Sequence, residues 1–544
     1  MRRFALHEIE ERIFDVAIIG GGVTGAAAAR EAALRGLSVA LVEKGDFASG
    51  TSSRSTKLLH GGLRYLESHE FKLVREACHE RELMLKLAPH LSNVRPFIYV
   101  LYEGYPESMR LLSAGLSIYD LFSGNPLKRR HRMLSATALR ELEPHLNPSG
   151  LVGGGLYHDF LTDDARFTID TLKGAADAGA LVANYMEVTG LLEANGKIAG
   201  VSVADHINAE TGVVRARQVV NTAGPWVDTI RFLEDGVGER LLRPTKGIHI
   251  VVRKHDFPLR HAVFVRSPRD NRVVWPIPAL DEELVYIGTT DTDYAGALDH
   301  VTATDDDIDY LLEVANFTIP DAALDRTHIV ATWAGLRPLI QPEGSMAASS
   351  VSREQQIITS PRGLLTIAGG KLTTSRVMGR QVIDAAIERL GANFGLRGVP
   401  RSRSASVPIS GGDPGELFHA HTRLAELAID QGVRDRWRVY GGNGRALADI
   451  AQADPAAAQD LGVKHLTLAE VRYAIQEEMA LTITDFFARR ASVFYWTEDG
   501  GLSVADAVAD EMARLLGWSA ERRDEQLATY REWVVANRFV PVSA

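Results

Sequence analysis

Residues 14–19, Phe14-Asp15-Val16-Ala17-Ile18-Ile19, form a nearly continuous apolar run of strand length, the pattern of a strand covered on both faces. Three glycines follow, and then an alanine-rich stretch over about 23–35 that stops at Gly36 and predicts a helix. A second strand is predicted over 38–43. Strand, glycine turn, helix and strand in that order pair in parallel through a right-handed crossover. From about 166 to 379 the pattern changes to short strand candidates at 213–221, 247–252, 273–276, 285–288 and 364–368, with a helix at 305–317. This predicts a mixed-sheet unit interleaved with the first. Between Gly391 and Gly415, six Gly, three Pro and four Ser resist regular structure and mark a linker. Beyond it the pattern is helical. Thr467 and Glu470 read as a capping box that opens a long amphipathic helix to about Phe494. Ser503 with Asp506 opens a helix ending at Gly517, and another is expected over 520–536.

The 544 residues suffice for several domain equivalents, with 45% hydrophobic and 24% charged positions in the range of folded globular chains. Lys and Arg total 60 against 70 Asp and Glu, a net charge of −10, so the broad positive field of a non-specific nucleic-acid binder is missing. An anion site must therefore be local. Cys78 is the sole cysteine, which excludes an intrachain disulfide and a cysteine-built zinc or iron–sulfur site and suits a reducing cytoplasm. Glu8, Glu10 and Glu11 interrupt the basic N-terminus, and no run of ~18 apolar residues occurs, so neither a signal peptide nor a spanning helix is expected. The histidines are dispersed without H-x-x-x-H spacing, and no metal is expected.

Gly20, Gly22 and Gly25 fit G-x-G-x-x-G at the strand–helix junction. There the turn is tight, the backbone must approach a pyrophosphate, and the helix N-terminus supplies N–H groups and partial positive charge. Glu43 ends the second strand 18 residues after Gly25, where a carboxylate can accept ribose hydroxyl hydrogen bonds. The fingerprint specifies a dinucleotide without separating FAD from NAD.

The segment Thr51-Ser52-Ser53-Arg54-Ser55-Thr56-Lys57-Leu58-Leu59-His60-Gly61-Gly62-Leu63-Arg64-Tyr65 strongly resembles the FAD-dependent, aerobic glycerol-3-phosphate dehydrogenases. The resemblance continues through Asn221-Thr222-Ala223-Gly224-Pro225, Lys246-Gly247-Ile248-His249, Gly288-Thr289-Thr290-Asp291, Gly335-Leu336-Arg337-Pro338 and Gly369-Gly370-Lys371-Leu372-Thr373. It implies an α/β fold: a Rossmann-like FAD domain of glutathione-reductase type, interleaved with a mixed-sheet substrate cap, and a C-terminal all-helical domain. The expected FAD segments are about 14–90, 150–230 and 330–390, within an oxidoreductase region 1–390. The cap segments are 91–149 and 231–329, the linker is 391–415, and the helical domain is 416–544. The implied reaction converts sn-glycerol 3-phosphate to dihydroxyacetone phosphate by hydride transfer to flavin N5, with electrons passed to a membrane quinone. A glycerol-3-phosphate oxidase using oxygen and a non-catalytic flavin sensor are the competing readings.

Arg64, Tyr65, Arg337 and Lys371 within those motifs, and Arg353 in the looser context Val351-Ser352-Arg353-Glu354, match substrate positions of the family, and arginine's planar fork suits a phosphate dianion. In the extended segment 247–252, Ile248, Ile250 and Val252 share one face, so His249 turns to the other, where imidazole can accept the C2 hydroxyl proton. Arg337 is expected to stabilise developing oxyanion charge. Thr51, Ser52, Ser53 and Lys57, with Ala223, Gly224, Gly370, Lys371, Leu372 and Thr373, are carried over as cofactor-facing, while Asp291 suits a structural hydrogen bond. An amphipathic helix over 109–122 followed by basic residues 128–132 suggests peripheral contact with the cytoplasmic membrane. Oligomeric state is left open, a homodimer included.

Overall fold

The computed structural model describes residues 1–124, 126–236, 238–341 and 355–538. Ile13–Ile19 is the spine of the first sheet. Phe14, Val16, Ala17, Ile18 and Ile19 are all buried, because parallel neighbours flank the strand, helices cover the face of Val16 and Ile18, and the strands Met186–Ala194 and Lys197–Asp205 with Phe4 and Leu6 cover the other. It pairs in parallel with Val39–Val42 on one side and Glu210–Asn221 on the other, in the registers Val16↔Val39 and Ile19↔Asn221. Leu181–Ala183 extends the sheet beyond Val39–Val42, and Leu365–Ala368 extends it beyond Glu210–Asn221, both in parallel. The helix Val23–Leu34 makes the crossover and packs against the helices Asp164–Asp177 and Ser375–Phe394.

In the second sheet Leu242–Arg253 runs antiparallel to both Leu284–Gly288 and Ile329–Ile340. Its two faces divide as period-2 alternation requires. Ile248, Ile250 and Val252 join Val285 and Ile287 over the helix Asp305–Thr318, represented in this core by Ile308 and Leu311. On the opposite face Val251, Ile277, Tyr286 and Trp333 pack with Phe486, Phe487 and Tyr495 of the C-terminal helices. The sheet is thus held between one helix and the helical region. Its strands bring together residues from segments 58–59 to 329–340.

The linker expected over 391–415 is shorter in the structure: the helix Ser375–Phe394 runs into it, Pro414–Glu426 starts within it, and only the stretch between them lacks helix or strand. It is strapped down where the Arg30 guanidinium donates to the carbonyls of Val407 and Pro408 at 2.6 and 2.8 Å. The capping box forms: Thr467 N–H reaches Glu470 Oε2 at 3.2 Å and Glu470 N–H reaches Thr467 Oγ1 at 3.4 Å. The helix it opens is Leu468–Glu478, however, not a run to Phe494. Met479 adopts φ 55°, and Thr482 with Asp485 forms a second capping box that restarts the chain at Ile483–Asp485. A π-turn, Phe486–Arg490, follows. The break has a physical reason in local hydrogen bonds, since the Asp485 carboxylate takes the N–H groups of Leu481 and Thr482, ending backbone pairing there. It also turns Arg489 and Arg490 into the first domain, where Arg490 is fully buried and grips Asp46 at 2.7 and 2.9 Å. The helix expected from Ser503 begins instead at Ala505, because Asp499 captures the N–H groups of Gly501 and Ser503 in a preceding 3₁₀ turn. No helix of the described residues is long and apolar enough to cross a membrane.

Candidate functional site

A cavity of about 580 Å³ opens where the first strand meets its helix, lined by Gly20, Gly22, Val23 and Thr24. Gly20 has φ 106°, and Gly22 is the N-cap of Val23–Leu34, so the helix N-terminus faces the cavity. A Cβ on Gly25 would lie 1.9 Å from the Gly20 carbonyl oxygen, so the third glycine is required for the turn to close on its helix. Glu43 lines the same cavity. Its two carboxylate oxygens accept the N–H groups of Gly21 and Gly45 at 2.7 and 2.9 Å, and burial raises its carboxyl above the usual range against their pull. Thr51, Ser52, Ala223, Gly224, Gly370, Lys371 and Leu372 complete the walls expected from sequence. Ser52 Oγ accepts the Val23 N–H at 2.9 Å, tying one wall to the helix start.

Other expected members stand behind the wall. Gly25 backs the turn. Ser53 is buried in its 3₁₀ turn, and Thr373 exchanges hydrogen bonds with the backbone of His60 at 3.1 and 3.2 Å. Lys57 does not face this cavity. Its ammonium is 2.6 Å from Asp164 Oδ1, a buried charge satisfied by a buried partner, and it lines a second cavity between the second sheet and the C-terminal helices. Membership of a motif fixed its neighbourhood but not its direction. The sequence, in turn, missed Arg54, Trp226 and Trp533, which line the dinucleotide cavity. Arg54 is held below its ordinary pKa by burial. The Trp226 indole N–H has no hydrogen-bond partner among the described residues. A glycine cradle, a buried carboxylate at the end of the second strand and an unsatisfied donor all fit FAD, with Gly20, Gly22, Glu43, Ser52 and Gly370 as the residues that would hold it.

His249 is 2% exposed and lies on the face opposite Ile248 and Ile250, paired across the sheet with Gly288 and Trp333. A Cβ on Gly288 would meet the imidazole at 2.0 Å, so glycine there makes room for the ring. Trp333 stacks on it with centroids 4.6 Å apart and planes 15° apart, and Nε2 lies 3.1 Å from Thr56 Oγ1. Burial, and then the charges of Arg337 and Lys57, hold the imidazole well below its ordinary pKa, so it is neutral. Arg337 shares the His249 face, two same-face positions along at the pair Thr245↔Arg337, with Gly247↔Gly335 between them. A Cβ on Gly247 would come within 2.3 Å of the guanidinium. Asp291 Oδ1 accepts from Arg337 at 3.1 Å, and Thr289 Oγ1 and the Thr290 carbonyl accept at 3.0 and 3.1 Å, which gives Asp291 the structural role its turn suggested.

The structure also gathers the expected phosphate-binding group. Arg64 and Tyr65 occupy the turn Leu63–Leu66, and Lys371 Nζ lies 3.6 Å from the Tyr65 ring centroid, with the Arg64 guanidinium 5.2 Å from it. Arg353 lies outside the described residues. Arg64 and Lys371 thus place two cations around one ring, a local concentration of positive charge in a chain of net charge −10. Among the described residues Asp430, Asp460 and His465 lie within 4.8 Å of one another at the surface, where His465 Nδ1 pairs with Asp460 at 2.7 Å.

A family model for FAD dependent oxidoreductases matches residues 15–385, and a model for the C-terminal domain of alpha-glycerophosphate oxidase matches residues 402–523. Aerobic glycerol-3-phosphate dehydrogenases of Staphylococcus saprophyticus and Bacillus subtilis are each 39% identical to the chain. The alignments cover 94% and 96% of it, and 92% and 94% of those proteins. Among solved structures, the glycerol-3-phosphate dehydrogenase from Bacillus halodurans complexed with FAD superposes with a TM-score of 0.82 at 32% identity, over 99% of this chain and 98% of that one. The L-alpha-glycerophosphate oxidase from Mycoplasma pneumoniae, at 20% identity and a TM-score of 0.55 over 69% of this chain and 95% of that one, shares the fold alone.

Proposed function

The chain belongs to the FAD-dependent glycerol-3-phosphate dehydrogenase family, and from that premise we propose that it oxidises sn-glycerol 3-phosphate to dihydroxyacetone phosphate and passes the electrons to a membrane quinone. The observation that carries this reading is the placement of a buried His249 on the same sheet face as Arg337, with Gly335 and Leu336 of the Arg337 strand forming part of the dinucleotide cavity wall. His249 accepts the C2 hydroxyl proton. Arg337, held in place by Asp291 and Thr289, stabilises the negative charge that develops on that oxygen. Arg64 and Lys371, with Arg353, hold the phosphate. Bound FAD supplies the acceptor for the C2 hydrogen and its electron pair.

Anaerobic titration of the purified holoprotein with sn-glycerol 3-phosphate tests the reading. The yellow flavin spectrum bleaches and returns on addition of a quinone analogue. A spectrum indifferent to the substrate overturns it, and stoichiometric hydrogen peroxide at turnover rate in air replaces quinone by oxygen.

The quinone reading places the protein peripherally on the cytoplasmic membrane, and one surface supports that. In the helix Met109–Ser123, Leu112, Leu116 and Tyr119 are buried while Leu111 and Leu121 are 59% and 77% exposed, and Leu127 just beyond is 80% exposed. Exposed Lys72 and Arg75 share a surface depression with Leu121, Phe122, Glu76 and His79, and Lys128, Arg130 and Arg132, next in the chain after Leu127, are exposed as well. Apolar side chains beside cations are the means of binding an anionic leaflet without spanning it. L111E/L121E is expected to cut co-sedimentation with anionic vesicles roughly tenfold or more, since each inserted leucine contributes about 1.5–3 kcal/mol, while turnover with a soluble acceptor stays intact. Undiminished sedimentation would remove this face from the account.

A further inference from the structure

We propose that Thr56 is a positioning residue that fixes the tautomer of His249: its hydroxyl oxygen accepts the Nε2 proton, leaving Nδ1 as the bare nitrogen that takes the substrate proton. The proposal rests on the reading of His249 as proton acceptor and adds which of its nitrogens acts and what holds it so.

The two ring nitrogens stand in different surroundings. Nε2 has Thr56 Oγ1 at 3.1 Å, whereas Nδ1 is buried with no hydrogen-bond partner among the described residues. A neutral imidazole carries one proton. Were it on Nδ1, a buried N–H would go unpaired, which native interiors tolerate less well than an unpaired lone pair. On Nε2 it is bonded, and the atom without a partner is an acceptor. The neighbouring cations Arg337 and Lys57 favour the neutral ring and also the return of the proton after turnover.

Thr56 is suited to the task because its segment is clamped on every side. The Asp164 carboxylate takes the Ser55 N–H and hydroxyl through Oδ2 at 3.0 and 2.7 Å and the Lys57 ammonium through Oδ1 at 2.6 Å. The Ser55 carbonyl accepts the Trp333 indole N–H at 3.1 Å, and the Thr56 carbonyl accepts the Tyr286 hydroxyl at 3.2 Å. Trp333 therefore acts twice, its face setting the plane of the imidazole and its N–H setting the backbone beside Thr56. Ring plane and ring rotation are fixed by separate contacts, the condition for a base held within the narrow tolerance of a reacting geometry. In the reaction the hydroxyl proton would move to Nδ1 while Nε2 keeps its own proton, donated to Thr56 Oγ1; FAD, when bound, would supply the acceptor for the C2 hydrogen and its electron pair.

The test is nitrogen NMR of holoprotein labelled with ¹⁵N-histidine, the His249 signals being identified by their loss in His249→Gln. Wild-type His249 should show a protonated Nε2 and an unprotonated Nδ1. A protonated Nδ1 overturns the proposal whether or not any variant folds. Thr56→Val, which keeps the shape and deletes the hydroxyl, should mix the tautomers and slow flavin reduction about 10–100-fold, part of the ~10²–10⁴ of a placed base, with substrate affinity within about twofold. Thr56→Ser should restore both readouts. An unchanged nitrogen pattern in Thr56→Val that retains flavin also overturns it. Wild-type flavin reduction in His249→Gln, by contrast, strikes down the underlying reading of the base while the nitrogen pattern reports separately on Thr56.

Discussion

In anaerobic rapid mixing, His249→Ala is expected to slow flavin reduction by sn-glycerol 3-phosphate by about 10²–10⁴-fold, or ~2.7–5.5 kcal/mol of transition-state stabilisation, with much less change in substrate affinity. The split follows from placement. In the proposed site the phosphate is held by Arg64 and Lys371 on other elements, so binding should survive, whereas among the described residues no other histidine stands beside Arg337 on this face. Reduction at the wild-type rate would exclude histidine from proton transfer. The pH profile carries a second signature. Burial lowers the His249 pKa well below 6.5, so the wild-type rate should show no limb from this group near 6.5, and any loss falls at more acid pH. The same shift makes the neutral ring a stabilising element that is fully present above 6.5 and lost as pH falls toward the lower folded value.

Asp46→Asn is expected to destabilise the holoprotein by about 3–5 kcal/mol, the usual cost of stripping the counter-charge from a buried ion pair. Asp46 and Arg490 are completely buried, and Arg489 nearly so, 6% exposed in its side chain. The substitution keeps the shape and leaves Arg490 facing little but the Glu478 carbonyl and, at 3.9 Å, its carboxylate. Burial alone would raise the Asp46 carboxyl, but Arg490 and Arg489 outweigh it and hold it at about 2. Because that value is depressed, the stabilisation is complete above the ordinary 3.8 and is lost as pH falls through about 2. Denaturant melts of wild type and variant measure both effects. Equal midpoints at neutral pH would show that the clasp contributes nothing. Since Asp46 and Arg489 also line the dinucleotide cavity, the variant should lose flavin before it unfolds.

Local features of this molecule were legible in its sequence. The first strand, its glycine turn and its helix are contiguous and obey one periodicity each, and the two-residue alternation around His249 told which way that ring would turn. The chain-distant relations were not legible. Thr56, in a loop, and His249, in a strand, meet across 193 positions, and Trp333 reaches them from the neighbouring strand. Lys57 sits in a segment that borders the cofactor cavity, but its left-handed backbone, φ 56°, and the Asp164 carboxylate turn it away. The long C-terminal helix failed for a related reason: amphipathicity continued past Met479, while a second capping pair, Thr482 and Asp485, broke the backbone locally and the pattern itself gave no sign of which would prevail.

The walls of the dinucleotide cavity are drawn from the whole chain, from Gly20 through Ala223 and Gly370 to Arg489 and Trp533. A ribosome delivers these segments in order, so the opening strand, turn and helix emerge long before their ceiling exists. The cavity closes only once the last helix, Ala520–Asn537, is free to dock. A chain cut before Ala520 would keep every glycine of the fingerprint yet lack Gln526, Thr529 and Trp533 from the cavity wall, and is expected to hold flavin less tightly.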